Sequence, residues 1–330
     1  MNNDDPFAWR NQGGRFEIGT DEDSGTTAFI EVEKKLLILT DKNIYQLDLP
    51  DAIDPKRTNP NIPASKQKIV SYGSDDHIVG RTLQQASVLF EEHSLPDSVN
   101  HKKALSIAMS FLKEMVTLQE AKELYEKEEA DIRESFDGKL QEDNSFQLPS
   151  ISDIEQRLKR FINNAGHSQR HLIEITKLFY PETPDKLWNV KLQEKLLETF
   201  DNKEPIIQFL ESTKNWIRLI RELRNEIEHP SDVKKIEINN YRLKETGTVS
   251  SPTIKFDHKN VPLNEIRVSK FMSDTMESSL LCFELLMAYL CNIHAQTFAS
   301  DERVVIEVPD DKREKRMAHV RFAYQILWTK

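Results

Sequence analysis

Thiols are nearly absent from this chain: Cys282 and Cys291 are the only two cysteines in 330 residues. They lie nine apart in what reads as one helix, about 180° around it, so they cannot pair with each other there. A disulfide framework is thereby excluded, which suits a reducing cytosol. A targeting segment is missing too, because Met1-Asn2-Asn3-Asp4-Asp5 has no basic region followed by an apolar one. The most apolar run, Leu280 to Leu290, contains Glu284 and falls short of the ~20 residues that span a bilayer. We therefore expect a cytoplasmic protein with no membrane partner. Gly13-Gly14 is followed by no lysine and serine or threonine of the P-loop kind. No internal repeat is present. Positive charge is in deficit, with 45 Lys and Arg against 55 Asp and Glu and a net charge of −10. That balance argues against a general nucleic-acid coat protein, which needs clustered Lys and Arg. It leaves room for a small basic site on an acidic body.

With 38% hydrophobic and 30% charged residues, the composition is that of a globular chain long enough for about two domains. Residues 1 to 26 are polar and read as loop. Phe29 to Glu33, Leu36 to Thr40 and Ile44 to Leu49 form a small β-meander, parted by turns such as Asp41-Lys42-Asn43. Pro50, Pro55, Pro60 and Pro63 then make 50 to 70 a linker or extended arm. From Val79 helices dominate. A short one covers Arg81 to Glu92, and a longer one, capped by Ser98 or Asn100, runs to about Phe136. Its far part, Lys122 to Glu134, is charged enough to project into solvent. After a polar loop around Asp137 to Leu148, Ser150 and Ser152 are N-cap candidates for a helix that Pro181 ends. Helices near Asp185 to Phe200 and Pro205 to His229 follow.

An insertion at 231–267 reads as a β-hairpin, with Ile236 and Ile238 opposite Thr253 to Phe256. Lys234, Lys235, Arg242 and Lys244 on it either add positive potential or form an ordinary solubilising surface. Ser269 to Phe298 is apolar nearly all round and should be central or interfacial. Val304 to Val308 and the alternation Ala318, Val320, Phe322, Tyr324, Ile326, Trp328 predict a C-terminal hairpin. Its apolar face needs a partner: the insertion, the meander or another subunit. The fold expected is mainly α, with an N-terminal segment 1–78, a helical domain 79–300 and a C-terminal hairpin 301–330.

Chemistry concentrates in Arg221 to Pro230, reading Arg-Glu-Leu-Arg-Asn-Glu-Ile-Glu-His-Pro. At 100° per residue, Trp216, Ile220, Leu223 and Ile227 share a narrow stripe that a helix buries. Arg218, Arg221, Asn225 and His229 share the opposite side, with Arg224 and Glu228 on the border. Pro230 disfavours αR for the residue before it and stops the helix, so His229 can turn away from the axis. His167 and His171, at i,i+4, are spaced to hold a metal. No glutamate follows His167 in the HExxH manner and no third ligand suggests itself, so a polar helix face lining the groove of His229 is the better reading.

Arg224, Asn225 and His229, an arginine followed by a polar residue and then a histidine at a helix end, resemble the signature of the HEPN domain family. That resemblance covers the helical middle of the chain. It implies an α-helical bundle that dimerises through the motif helices and, in many members, metal-independent cleavage of RNA in defence or toxin–antitoxin systems. RNA carries its own nucleophile, the 2′-hydroxyl. Cleavage therefore needs groups to take that proton and to protonate the leaving 5′-oxygen, with a cation for the phosphorane. Histidine has the pKa for the first work and arginine the fork for phosphate oxygens. The resemblance assigns His229 as general acid or base, Arg224 as phosphate stabiliser and Asn225 as a positioning partner. Arg221 and Arg218 would bind substrate, and no cofactor or metal is expected. Partners implied are RNA, a second copy in a homodimer, and an antitoxin or other protein.

The same residues admit other readings. Arg224 with Glu228 and Arg218 with Glu222 are i,i+4 pairs that make a solvated salt-bridge face, and His229 can simply cap the helix dipole. A non-catalytic HEPN-like module that binds nucleotide, RNA or protein is the alternative from another class. A purely structural dimer is a third. Two features depart from the family. The tyrosine that some HEPN toxins carry two residues after the histidine is Ser231 here, and the insertion after the motif is extra.

Overall fold

The computed structural model describes residues 7–11, 25–33, 35–136, 138, 145–230, 235–297 and 301–327. Gly13-Gly14, Ser231, Lys234 and Trp328 lie outside them. About 50% of the chain is helical and 19% is strand in small sheets, so the mainly helical expectation holds at that level. In chain order the elements are β1 (Thr26–Val32), β2 (Lys35–Thr40), β3 (Ile44–Asp48), α1 (Pro50–Ile53) and β4 (Ser65–Val70). Next come α2 (His77–Val79), a π-turn (Gly80–Gln84), α3 (Gln85–Leu89), α4 (His101–Ser135), α5 (Ile154–Phe179), α6 (Trp188–Leu196) and α7 (Pro205–Glu228). The insertion holds β5 (Lys235–Asn239), β6 (Arg242–Leu243), β7 (Val249–Ser250), β8 (Thr253–Asp257) and β9 (Leu263–Arg267). The chain closes with α8 (Val268–Ile293), β10 (Glu302–Glu307) and β11 (Phe322–Leu327).

These elements group into two compact units, one of 1–113 with 287–330 and the other of 114–286. The composition boundaries at 78/79 and 300/301 both fall inside the first. In that unit β1, β2, β3 and β4 form an antiparallel sheet in sequence order. The stretch expected as a linker thus contributes its edge strand. Its sequence Ser-Lys-Gln-Lys-Ile-Val is exposed over the first four residues, so main-chain pairing with β3 rather than apolar alternation makes it a strand. Buried Gln85 fixes the C-terminal hairpin: its amide donates to the Phe322 carbonyl at 2.7 Å, and its Oε1 accepts from the N–H groups of Arg321 and Phe322, each at 2.9 Å. Tyr324 Oη donates to the Leu89 carbonyl at 2.8 Å. The partner of that hairpin is therefore α3, which was not among the three candidates the apolar alternation suggested.

The second unit is built on α5, α6, α7 and the sheet of the insertion. Asn100 caps α4, its Oδ1 accepting from Lys103 N at 2.9 Å. The distal part of α4 does not simply project: Tyr125 and Glu129 are buried, because one face of the charged stretch turns inward. Neither Ser150 nor Ser152 caps α5. Asp153 precedes that helix at φ 50° with no side-chain cap, while Glu128 and Asn240 accept the Ser152 and Ile151 N–H groups at 3.2 and 3.1 Å. Leu158, Phe161, Ile162, Ala165, Leu172 and Ile175 of α5 are buried, and α5 packs along α7, as α6 does.

The insertion is a three-stranded antiparallel sheet, β5-β8-β9, with a small β6-β7 ribbon. Ile236 lies opposite Phe256 and Ile238 opposite Ile254, as the alternation predicts. β9 was illegible because Leu-Asn-Glu-Ile-Arg is largely polar. α8 carries buried side chains along its length: Phe271, Phe283, Leu286 and Leu290 are almost fully buried. By length and composition this helix could cross a membrane, against the shorter run read from Leu280 to Leu290, yet 61% of its apolar window is buried inside the protein. Cys282 and Cys291 are free and buried, and burial pushes the Cys282 thiol up to about 12.

Candidate functional site

Pro205 begins α7 at a first-turn position where its missing N–H is harmless. Ile217, Ile220, Leu223 and the carboxylate-bearing Glu226 are buried, whereas Trp216 and Ile227 of the expected stripe are half-buried. The inward arc is thus wider than the four apolar positions suggest. The helix ends at Glu228, and His229 leaves it at φ −139°, its N–H bonded to the Asn225 carbonyl at 2.8 Å. His229 and Asn225 are exposed.

Arg224 leans toward α5. A Cβ added at Gly166 would fall 2.6 Å from Arg224 Cδ, so the glycine in the middle of α5 leaves the space that the arginine stem occupies. A glycine there costs about 1 kcal/mol of helix propensity against alanine. Arg224 Nε and Nη2 both donate to Glu228 Oε1, at 2.9 and 2.7 Å. This is the i,i+4 pair that the salt-bridge reading expects, and at 23% and 38% side-chain exposure it is worth about 0.3–0.5 kcal/mol. The Arg224 hydrogen bond holds the Glu228 carboxyl below its ordinary range, and the charges of Arg224, His229 and His167 add to the effect.

His167, next to Gly166, is half-buried. Burial favours its neutral form, with Arg170 and Arg224 acting the same way and Glu114 and Glu228 opposing. Arg224, Glu228, His229 and His167 therefore share one local field. His171, a turn further on, pairs with Glu174 at 2.9 Å. No group of three or more His, Cys, Asp or Glu positioned to hold a metal occurs among the described residues.

The other predicted residues are not drawn into this cluster. Arg221 reaches Glu222 at 3.5 Å, and Glu222 also faces His258 at 3.7 Å. Arg218 is half-buried, and its Nε is enclosed with no hydrogen-bond partner among the described residues. Of these three residues on the polar side of α7, Asn225 is exposed and the two arginines are half-buried. Of the cations considered for the insertion, Lys235 pairs with Glu237 at 2.9 Å, and Arg242 pairs with Glu265. A groove of about 610 Å³ runs beside the motif end, between Glu155 and Lys159 of α5, Glu226, Ile227 and Pro230, and the whole of β5. Its lysines are matched by neighbouring carboxylates, Lys159 by Glu155 at 2.6 Å, so it is a poor path for a phosphate backbone.

What sequence reasoning missed was the part of Gly166. A glycine inside a long helical pattern is the signal that would have found it, since such a residue marks close approach of another element. No protein-family model matches this chain, and neither a curated protein nor a solved structure matches it.

Proposed function

We propose that this chain is a metal-independent endoribonuclease of HEPN type, acting in a defence or toxin–antitoxin setting. One observation carries the reading: Arg224 is bound to Glu228 at the stop of α7, and the next residue is the exposed His229, whose charge acts on the same carboxylate. Arg224 uses Nε and Nη2 on Glu228, and Nη1 makes no hydrogen bond among the described residues, so one edge of the fork remains for a phosphate oxygen. His229 exchanges the proton, Asn225 positions the RNA, and the half-buried Arg218 and Arg221 on the polar side of α7 attract the backbone. RNA then approaches along that side, past the exposed Asn225 and His229. A homodimer joining two such faces would bring two motifs together, and α7 is the better interface because the apolar side chains of α8 are spent inside the chain.

The closed Arg224–Glu228 pair favours a second reading, a binding module in which the arginine is held and not used for chemistry. Incubating total RNA with purified protein in excess EDTA separates the two. Under the proposal, wild type cuts RNA and leaves 2′,3′-cyclic phosphate ends, while His229→Ala loses on the order of 10² to 10⁴ in rate. Arg224→Lys binds RNA but loses most turnover, because the charge stays and the bidentate fork goes. If chelation abolishes cleavage and Mg²⁺ restores it, or if nuclease-free His229→Ala cuts as fast as wild type, the proposal fails. Light scattering that shows only a 38.4 kDa species at micromolar concentration would remove the dimer.

A further inference from the structure

Transesterification of RNA needs proton transfer at two oxygens on opposite sides of one phosphorus: removal at the 2′-hydroxyl and delivery at the 5′-oxygen. One imidazole cannot be at both places at once. α7 supplies His229 alone, since no second histidine stands in the motif. The neighbouring helix supplies another. Gly166 lets α5 approach until Arg224 Cδ lies 2.6 Å from where a Cβ would be, and the next residue on α5 is His167. The carboxylate of Glu228 lies within the field of both imidazoles, with Arg224 bound to it. Other histidines of this unit are committed elsewhere: His171 to Glu174 at 2.9 Å, and His258 to Glu222 while stacked on Phe256.

We propose that His167 is the second proton-transfer residue of this site, taking the 2′-hydroxyl proton while His229 protonates the leaving 5′-oxygen. The inference rests on the ribonuclease reading above and specifies its chemistry within one chain. Neutral His167 accepts the 2′-hydroxyl proton as O2′ bonds to phosphorus. The P–O5′ bond breaks, and the proton on the His229 imidazolium goes to O5′. The products are a 2′,3′-cyclic phosphate and a 5′-hydroxyl, and exchange with water resets the two imidazoles. Arg224, which holds Glu228 and whose charge acts on His167, meets the non-bridging oxygens. The groups facing His167 suit a base: burial, Arg170 on its own helix and Arg224 on α7 favour the neutral ring, against Glu114 on α4 and Glu228 on α7. Half-burial leaves it accessible to substrate.

The test uses the full chain in EDTA and two RNA oligonucleotides, one normal and one with sulfur in place of the scissile 5′-oxygen. A thiolate leaves without a general acid. His229→Ala should therefore be inactive on the normal substrate and regain most of its rate on the thio substrate, whereas His167→Ala should be slow on both. With wild type the rate should rise with pH as His167 loses its proton and fall where the acid loses its own. His167→Ala should lose the rising limb, and wild type on the thio substrate, which needs no acid, should lose the falling one. His167→Gln, which keeps a side chain of similar reach, controls for packing and should behave as His167→Ala. If either His167 variant cuts both substrates within about threefold of wild type while His229→Ala is inactive on the normal one, His167 has no proton-transfer role and the ribonuclease reading stands. If variants at both histidines cut like wild type, the ribonuclease reading falls and takes this inference with it. If the thio substrate rescues His167→Ala instead of His229→Ala, the assignment of acid and base is overturned.

Discussion

Gly166→Ala is the substitution in which packing and function should separate most clearly. Alanine in a helix interior is worth about 1 kcal/mol over glycine, so the change alone would stabilise α5. Its Cβ, however, would sit 2.6 Å from Arg224 Cδ, and one of two parts must yield. If the helices separate, overpacking costs about 1–3 kcal/mol, and the net effect runs from zero to about 2 kcal/mol of destabilisation. If Arg224 swings out instead, only its pair with Glu228 is lost, about 0.3–0.5 kcal/mol, and the protein becomes more stable by about half a kcal/mol. Both routes move the guanidinium. Displacing a positioning group by about 1 Å can cost about 10²-fold in rate, so on the ribonuclease proposal we expect cleavage to fall by about that factor while unfolding free energy stays within about 2 kcal/mol of wild type. Urea unfolding and single-turnover cleavage on the same preparation measure both. A variant that gains about 1 kcal/mol and cuts at the wild-type rate would show that the placement of Arg224 against α5 has no part in the activity, and the reasoning would be refuted.

Two further outcomes concern the fold and its response to acid. Tyr125 Oη is enclosed with no hydrogen-bond partner among the described residues, and burial, then the charges of Glu129, Tyr241 and Glu128, push its phenol far up. Tyr125→Phe should therefore raise stability by about 1 kcal/mol in urea unfolding, and a loss of that size would mean that the hydroxyl has a partner. The Glu228 carboxyl lies below its ordinary range because Arg224 binds the ionised form. A depressed carboxyl contributes stability that is present above its unfolded value of 4.5 and is lost as pH falls through the folded value. Arg224→Ala should accordingly narrow the stability difference between neutral pH and pH 3, and an unchanged acid profile would remove the pair as its cause.

The sequence by itself determined the elements whose signal is local. The periodic apolar positions of α4, α5 and α7, the stop at His229-Pro230, the meander and the Ile236/Ile238 alternation all appear where their spacing places them, because a buried face repeats with the period of its own backbone. What only the tertiary structure decided depends on partners distant in the chain. β4 and β9 are strands because an edge was there to pair with, not because their side chains alternate. The charged end of α4 buries Tyr125 and Glu129, which composition alone reads as solvent-facing. In the motif, sequence located Arg224, Asn225 and His229 and even the Arg224–Glu228 pair, since i,i+4 neighbours follow from helix geometry. It could not show that Gly166 admits the arginine stem or that His167 shares the field of Glu228. The first is a contact between α5 and α7 and the second a charge effect between them; both join residues more than fifty apart, and packing sets them.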